Sequence, residues 1–143
     1  MLIIITRNVW WIKKIVFFGG SGISTESGIK DFRSIHGLYN EKYDYLPEVM
    51  LSRSVFNQHK DEFYKFYKDS FNFLDIKPNV THRYLKSLED QCKLNAIVTQ
   101  NIDGLHEKAV NKNIYLFHGT IYKNHCMMRD KEYDAHYVFN LKI

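Results

Sequence analysis

Apolar and polar positions change rhythm several times along the chain, and each change marks an element. Residues 12–18 form a run of β-branched and aromatic side chains broken only by Lys13 and Lys14, which predicts a buried strand. Behind it stands "GGSGISTESGIKDFRS", residues 19–34, and then a loop-like stretch through Tyr45-Leu46-Pro47. Between residues 55 and 74 the period lengthens. Phe63, Phe66, Tyr67, Phe71 and Leu74 recur at three- and four-residue steps, predicting one amphipathic helix with an aromatic stripe packed in the core. Pro78-Asn79 ends that helix and can cap a second one, marked by Tyr84, Leu85 and Leu88 and running to about Gln91. Residues 96–99 and 114–117 are short strands, the first followed by "QNIDGLH" and the second by His118-Gly119.

Strands alternating with helices predict an α/β fold with a parallel sheet. In such sheets ligands bind beyond the carboxyl ends of the strands. The glycine-rich stretch, "QNID" and His118-Gly119 all fall at strand ends, which singles them out together. No internal repeat, linker or low-complexity tract interrupts the pattern.

Composition narrows the picture. At 143 residues, 45% hydrophobic and 25% charged, the chain reads as one compact globular domain. The net charge of +4 is spread among Asp and Glu, without the basic face that a nucleic-acid partner requires. Cys92 and Cys126 are too few for a disulfide framework and read as reduced thiols, Cys92 as a buried one. The apolar N-terminus, interrupted by Arg7, Asn8, Lys13 and Lys14, falls short of the roughly 20 residues of a spanning helix, and no cleavage site follows it. A cytoplasmic protein with no membrane partner is expected, so the Asn79-Val80-Thr81 sequon is a chance match.

The candidate chemistry sits at the strand ends. Gly20-Ser21-Gly22 opens like a dinucleotide fingerprint, but Thr25 stands where the third glycine belongs, and no Gly-Lys-Ser/Thr follows. Gly20 and Gly22 can bring backbone N–H groups close to an anion, using positive backbone angles. Ser24, Thr25 and Ser27 can donate to phosphate or cap a helix. A glycine turn between strand and helix accounts for the same residues. Phe32 and Arg33 add an aromatic face and a planar cation suited to phosphate or carboxylate, with a surface ion pair as the plain alternative. Gln100, Asn101, Ile102 and Asp103 gather two amides and a carboxylate, suited to a carboxamide or ribose hydroxyls, or simply to a polar turn. His118 is the sharpest candidate for a base, ahead of His106 and His125 among the seven histidines. His125-Cys126 hints at metal without supplying the spaced pairs of a tetrahedral site.

Taken together, "GGSGISTESGIKDFRS", "TQNIDGLH" and "FHGTIYKNHC" resemble, in order and spacing, the sirtuin family of NAD-dependent protein deacylases. The resemblance covers about Ile12 to Tyr137. It implies a partial Rossmann-like parallel sheet with flanking helices, one partial catalytic domain over residues 1–143 whose later strands are missing. Gly20, Ser21, Gly22 and Thr25 would line the diphosphate and adjacent ribose of NAD. Phe32 and Arg33 would flank the nicotinamide side. Gln100, Asn101, Ile102 and Asp103 would hold the nicotinamide ribose and carboxamide, with Asn101 and His118 catalytic and His118 the general base. The substrate would be an acylated-lysine protein or peptide, and the products deacylated lysine, nicotinamide and acyl-ADP-ribose. Residues of about 120–140 would be a remnant of the zinc-binding module, with Cys126 opening a Cys-x-x-Cys pair whose second member is Arg129. Zinc is expected for the family, on a site incomplete in this sequence. Ser21 also departs from the family's usual alanine, and Lys30 from its proline. Two alternatives stay open: a non-catalytic remnant that binds NAD or ADP-ribose weakly, and an ADP-ribosyltransferase or NAD hydrolase.

Overall fold

The computed structural model of the chain describes residues 14–34, 37–40 and 45–141. In chain order its elements are β1 (Ile15–Gly19), a 3-10 helix (Ser21–Ser27), a short 3-10 turn (Leu38–Asn40), α1 (Pro47–Met50), α2 (Arg53–Gln58), α3 (Lys60–Phe71), α4 (Val80–Asp90), β2 (Leu94–Thr99), α5 (Leu105–Lys108), β3 (Ile114–Leu116), β4 (Asn124–His125), β5 (Glu132–Tyr133) and α6 (Ala135–Asn140). The chain divides into two compact units, residues 1–29 with 75–120 and residues 30–74 with 121–143.

The first unit is α/β, as the alternating pattern predicts. β1, β2 and β3 form a parallel sheet in that order, with Phe17 opposite Ile97 and Ile97 opposite Ile114. Ile23, Leu85, Leu88, Leu94 and Ile97 make the core, joined by Ile15, Phe17 and Ile114. Burying each such side chain stabilises the unit by about 1.5–3 kcal/mol relative to exposure. The first strand is not buried on both faces, however, because Val16 and Phe18 remain exposed. In α4, Leu85 and Leu88 face the core as expected, but Tyr84 points outward and His82 takes its place in the buried stripe.

Asn79 starts α4 as anticipated, its side-chain oxygen accepting from the N–H groups of Thr81 and His82. At the other end the chain turns through Cys92 at φ 57, with its N–H bonded to the Glu89 carbonyl. Cys92 is therefore exposed, contrary to the buried thiol its sequence position suggests. A tight left-handed turn after a helix faces solvent.

In the second unit the single helix expected over 55–74 is broken. Ser52 caps α2 by accepting from the Val55 N–H, and His59 at φ −133, ψ 60 separates α2 from α3. The aromatic periodicity runs through the break because Phe56 packs edge-on against Phe63 across it, with centroids 5.1 Å apart. Tyr67 lies stacked between Phe63 and Phe139 of α6, and burial followed by Tyr64 pushes its hydroxyl up to about 12. Phe66 and Phe71 are buried, as the stripe predicts. β4 and β5 pair as a small antiparallel hairpin. Among the described residues no helix is long and apolar enough to cross a membrane.

Candidate active site at the strand ends

β1, β2 and β3 run parallel, so their carboxyl ends lie at one end of the sheet. The ladder continues one step beyond them: the Gln100 N–H bonds the Gly19 carbonyl at 3.0 Å, and the Phe117 N–H bonds the Thr99 carbonyl at 2.9 Å. The three loops singled out in the sequence are thereby held side by side. Gly20 leaves the strand in an extended conformation, φ −137, and the positive angle falls instead at Gly28, φ 89. Gly28 closes the 3-10 helix, its N–H bonding back to Ser24 and Thr25 carbonyls. A Cβ added at Gly22 would meet nothing within 4 Å, and one at Gly20 would make only ordinary contact with Gln100 Oε1 at 3.5 Å. The backbone at Gly22 thus faces open space, where an anionic ligand can reach it closely. Thr25 turns its hydroxyl onto the Gly22 carbonyl at 3.0 Å.

Beneath this loop lies a buried polar network. The Ser24 hydroxyl donates to Asp103 Oδ2 at 2.7 Å and accepts from Asn101 Nδ2 at 3.0 Å. Asp103 Oδ1 accepts from the Leu105 N–H at the start of α5, and the Asn101 N–H donates to the Thr99 hydroxyl. Ser24 is fully buried, with Asp103 and Asn101 nearly so. A buried carboxylate is tolerable only when it is hydrogen-bonded, and both oxygens of Asp103 are. Ile102 between them is half-buried. Sequence reasoning placed Ser24 with the phosphate donors; the structure turns it inward as the tie between the two loops. Its position beside the core residue Ile23 was the available signal.

His118 sits at the end of β3, exposed, with Nδ1 3.1 Å from the Gln100 carbonyl oxygen. A carbonyl only accepts, so Nδ1 carries the hydrogen, and in the neutral ring Nε2 is the nitrogen with the lone pair. The backbone of Gln100, rather than its amide, orients this ring. Gly119 follows at φ 77.

Two further histidines lie under the network. His82 and His106 are buried, with rings 4.8 Å apart, and the His82 Nδ1–H faces Asn79 Oδ1 at 2.9 Å. His82 Nε2 and both ring nitrogens of His106 have no hydrogen-bond partner. Burial lowers the His82 imidazole below its usual range against the opposing pull of Asp103. Burial first, and His82 second, bring His106 down to about 4. His106 is therefore a neutral packing residue.

Phe32 and Arg33 belong to the second unit. Asp31 organises their turn, accepting from the Ser34 N–H through its carboxylate and from the Leu38 N–H through its carbonyl. Phe32 packs edge-on against Tyr39, and Arg33 is exposed. Cys126 lies between β4 and β5, where its carbonyl accepts from the N–H groups of Arg129 and Asp130. Nearby, His125 Nε2 lies 3.8 Å from a carboxylate oxygen of Glu132. Among the described residues no group of three or more His, Cys, Asp or Glu is placed to hold a metal ion. One thiol with an arginine at the spacing of its expected partner does not fit a structural zinc ion.

The family model described as "Sir2 family" matches residues 20–142. The chain is 54% identical over 126 residues to the NAD-dependent protein deacetylase of Clostridium acetobutylicum, covering 87% of this chain and 51% of that protein. It is 51% identical over 130 residues to the NAD-dependent protein deacetylase of Clostridium tetani, covering 90% and 53%. It thus spans about half the length of the curated relatives it matches. A solved structure of Sir2 with a p53 peptide and NAD+ superposes with a TM-score of 0.75 at 35% identity, covering 90% of this chain and 50% of that one. Sir2 bound to acetylated peptide gives 0.76 at 33%, with 90% and 49% covered. β2, β3 and the three loops at the strand ends from Gly20 onward lie within the matched residues, and the chain belongs to the Sir2 family.

Proposed function

We propose that this chain binds NAD at the carboxyl ends of β1, β2 and β3 and serves in NAD-dependent removal of acetyl, or more broadly acyl, groups from lysine side chains of proteins. The observation that carries this reading is His118 after β3, exposed and held with Nδ1 donating to the Gln100 carbonyl. The names of the relatives support the substrate class. The open backbone at Gly22 fits a diphosphate, with Gly20, Ser21 and Thr25 around it. NAD supplies the ADP-ribose that accepts the acyl group and the nicotinamide that leaves. His118 takes a proton at Nε2 from the hydroxyl that captures the acyl group. Assistance of this kind is worth about 10²–10⁴-fold. In this reading Asn101, whose amide donates to Ser24, would serve the nicotinamide end, with Asp103 tied to the same hydroxyl.

The test is incubation with NAD and an acetyl-lysine peptide, following nicotinamide and acetyl-ADP-ribose by mass spectrometry. Both products form with the unmodified chain, and His118→Ala lowers their rate by two orders of magnitude or more. NAD binding without either product would leave a binding module and remove the deacetylase reading. Nicotinamide release that ignores the peptide would point to NAD hydrolysis instead.

A further inference from the structure

Three buried polar side chains of the first unit come together where α4, α5 and the approach to β3 meet. His82, His106 and Asn111 are 0%, 1% and 7% exposed. The two rings lie 4.8 Å apart, and Asn111 Nδ2 donates to the backbone carbonyls of both histidines, at 3.4 Å to His82 and 3.2 Å to His106. The Asn111 N–H bonds the same His106 carbonyl at 3.1 Å. Val110, just before it, stands at φ 66, a left-handed angle that a β-branched residue adopts only where its surroundings impose it. The chain thus accepts backbone strain where it turns Asn111 onto the two histidines.

Neighbouring groups fix which atoms here donate and which accept. Asn79 Oδ1 accepts from the backbone N–H groups of Thr81 and His82, so the His82 Nδ1 that faces it carries the ring hydrogen. His82 Nε2 is then a bare acceptor. Both bonds of Asn111 Nδ2 run to carbonyls, which leaves Asn111 Oδ1 as a second acceptor. The neutral His106 ring offers one N–H and one lone pair. None of these side-chain atoms, His82 Nε2, Asn111 Oδ1 and the two ring nitrogens of His106, has a hydrogen-bond partner among the described residues. Buried polar atoms are seldom left so, because each has given up its bonds to solvent.

We propose that His82, His106 and Asn111 form a binding site for one internal water molecule, which donates to His82 Nε2 and Asn111 Oδ1 and accepts the N–H of His106. Two donors and one acceptor match what water supplies, and about three bonds is the usual number for a buried one. Only the second nitrogen of His106 is left over. The water fastens α4 to α5 and to the approach to β3, under the loop whose Asp103 carboxylate holds the first N–H of α5. The site rests on hydrogen-bond matching alone, so it stands or falls apart from the NAD reading.

The experiment labels the histidine rings of the whole chain with heavy nitrogen and records their NMR spectra near neutral pH, with rotating-frame Overhauser contacts to water. His82 is expected as the Nδ1–H tautomer, and the His106 ring N–H is expected to show a contact to a water that stays bound for longer than the molecule tumbles. In Asn111→Leu that water exchanges at least tenfold faster and the contact fades, while circular dichroism shows the fold kept. Absence of the contact in the unmodified chain overturns the proposal, and so does full contact in Asn111→Leu. A scalar coupling across a direct N–H···N bond between the two rings overturns it as well. Shifts of both the His82 and His106 ring signals on adding zinc(II) would make the occupant a metal ion and equally overturn it. Should Asn111→Leu fail to fold, the contact in the unmodified chain decides.

Discussion

Ser24 and Asp103, 79 positions apart in sequence, meet through a 2.7 Å hydrogen bond in which the serine hydroxyl donates to the buried carboxylate. The same hydroxyl accepts from Asn101 Nδ2, so one small side chain fixes the glycine loop to the loop after β2. Neither loop can shift without leaving a buried charge or amide short of a partner.

Ser24→Ala therefore removes one donor from Asp103 and one acceptor from Asn101 at a single stroke. Leaving buried polar groups unsatisfied costs about 1–3 kcal/mol. The urea midpoint is expected to fall accordingly, and NAD affinity to fall with it, because Asn101 loses its anchor. Unchanged stability together with unchanged affinity would show that the bond does not couple the loops.

The histidine pair gives the fold a defined acid sensitivity. His82 and His106 both titrate below the ordinary 6.5 in the folded chain, His106 near 4. The unfolded chain thus binds more protons in this window, and stability rises with pH there. Their contribution is complete above about pH 6.5 and is lost as pH falls toward 4. Glu107 works in the opposite sense: burial raises its carboxyl against the pull of its own backbone N–H, with Asp103 adding to the rise, so its contribution is lost as pH rises. Urea midpoints between pH 7.5 and 4.5 should decline more steeply for the unmodified chain than for His106→Phe. Parallel declines would mean that the pair does not titrate on unfolding.

Gly37 has no room for a side chain. A Cβ there would lie 2.8 Å from both the Asp31 carbonyl oxygen and the Phe32 carbonyl carbon, and these are backbone atoms that cannot swing away. Gly37→Ala is expected to destabilise the second unit by about 1–3 kcal/mol, the usual cost of overpacking. Phe32 and Arg33 lie on the same turn, so their amide NMR signals should shift with it. An unchanged melting temperature would contradict the clash.

Glu89 clasps the approach to β3. Its carboxylate accepts from the N–H groups of Lys112 and Asn113 and from Lys86 Nζ. Burial alone would raise this carboxyl, but the Asn113 and Lys112 bonds, with Lys86, hold it below the usual range. Glu89→Ala should loosen β3 by about 1–3 kcal/mol, the order expected for losing hydrogen bonds to a charged group. Faster amide exchange at Ile114–Leu116 would report it. Exchange unchanged from the parent would show that the ladder to β2 suffices.

Much of this was legible in the chain. The apolar runs located all three strands of the parallel sheet, and the loops at their ends carried the candidate residues. What escaped depends on contacts distant in sequence. The break at His59 is invisible because Phe56 and Phe63 keep a helical spacing across it. Ser24 looked like a phosphate donor because its partner lies in another loop. His82 drew no notice, since nothing local distinguishes a buried ring from a surface one. The exposed side of β1 was unreadable for a related reason: an unbroken apolar run carries no sign of which face is covered.

Asn79 ties the glycine helix to the head of α4. Its oxygen starts α4 and faces the His82 ring, while its amide donates to the Ile23 carbonyl inside the glycine helix at 2.7 Å. A designer moving the segment Ser21–Ser27 to another parallel sheet would strand that carbonyl in the core. The transplantable unit is larger: the loop, the head of α4 and residues 101–105 travel together or not at all.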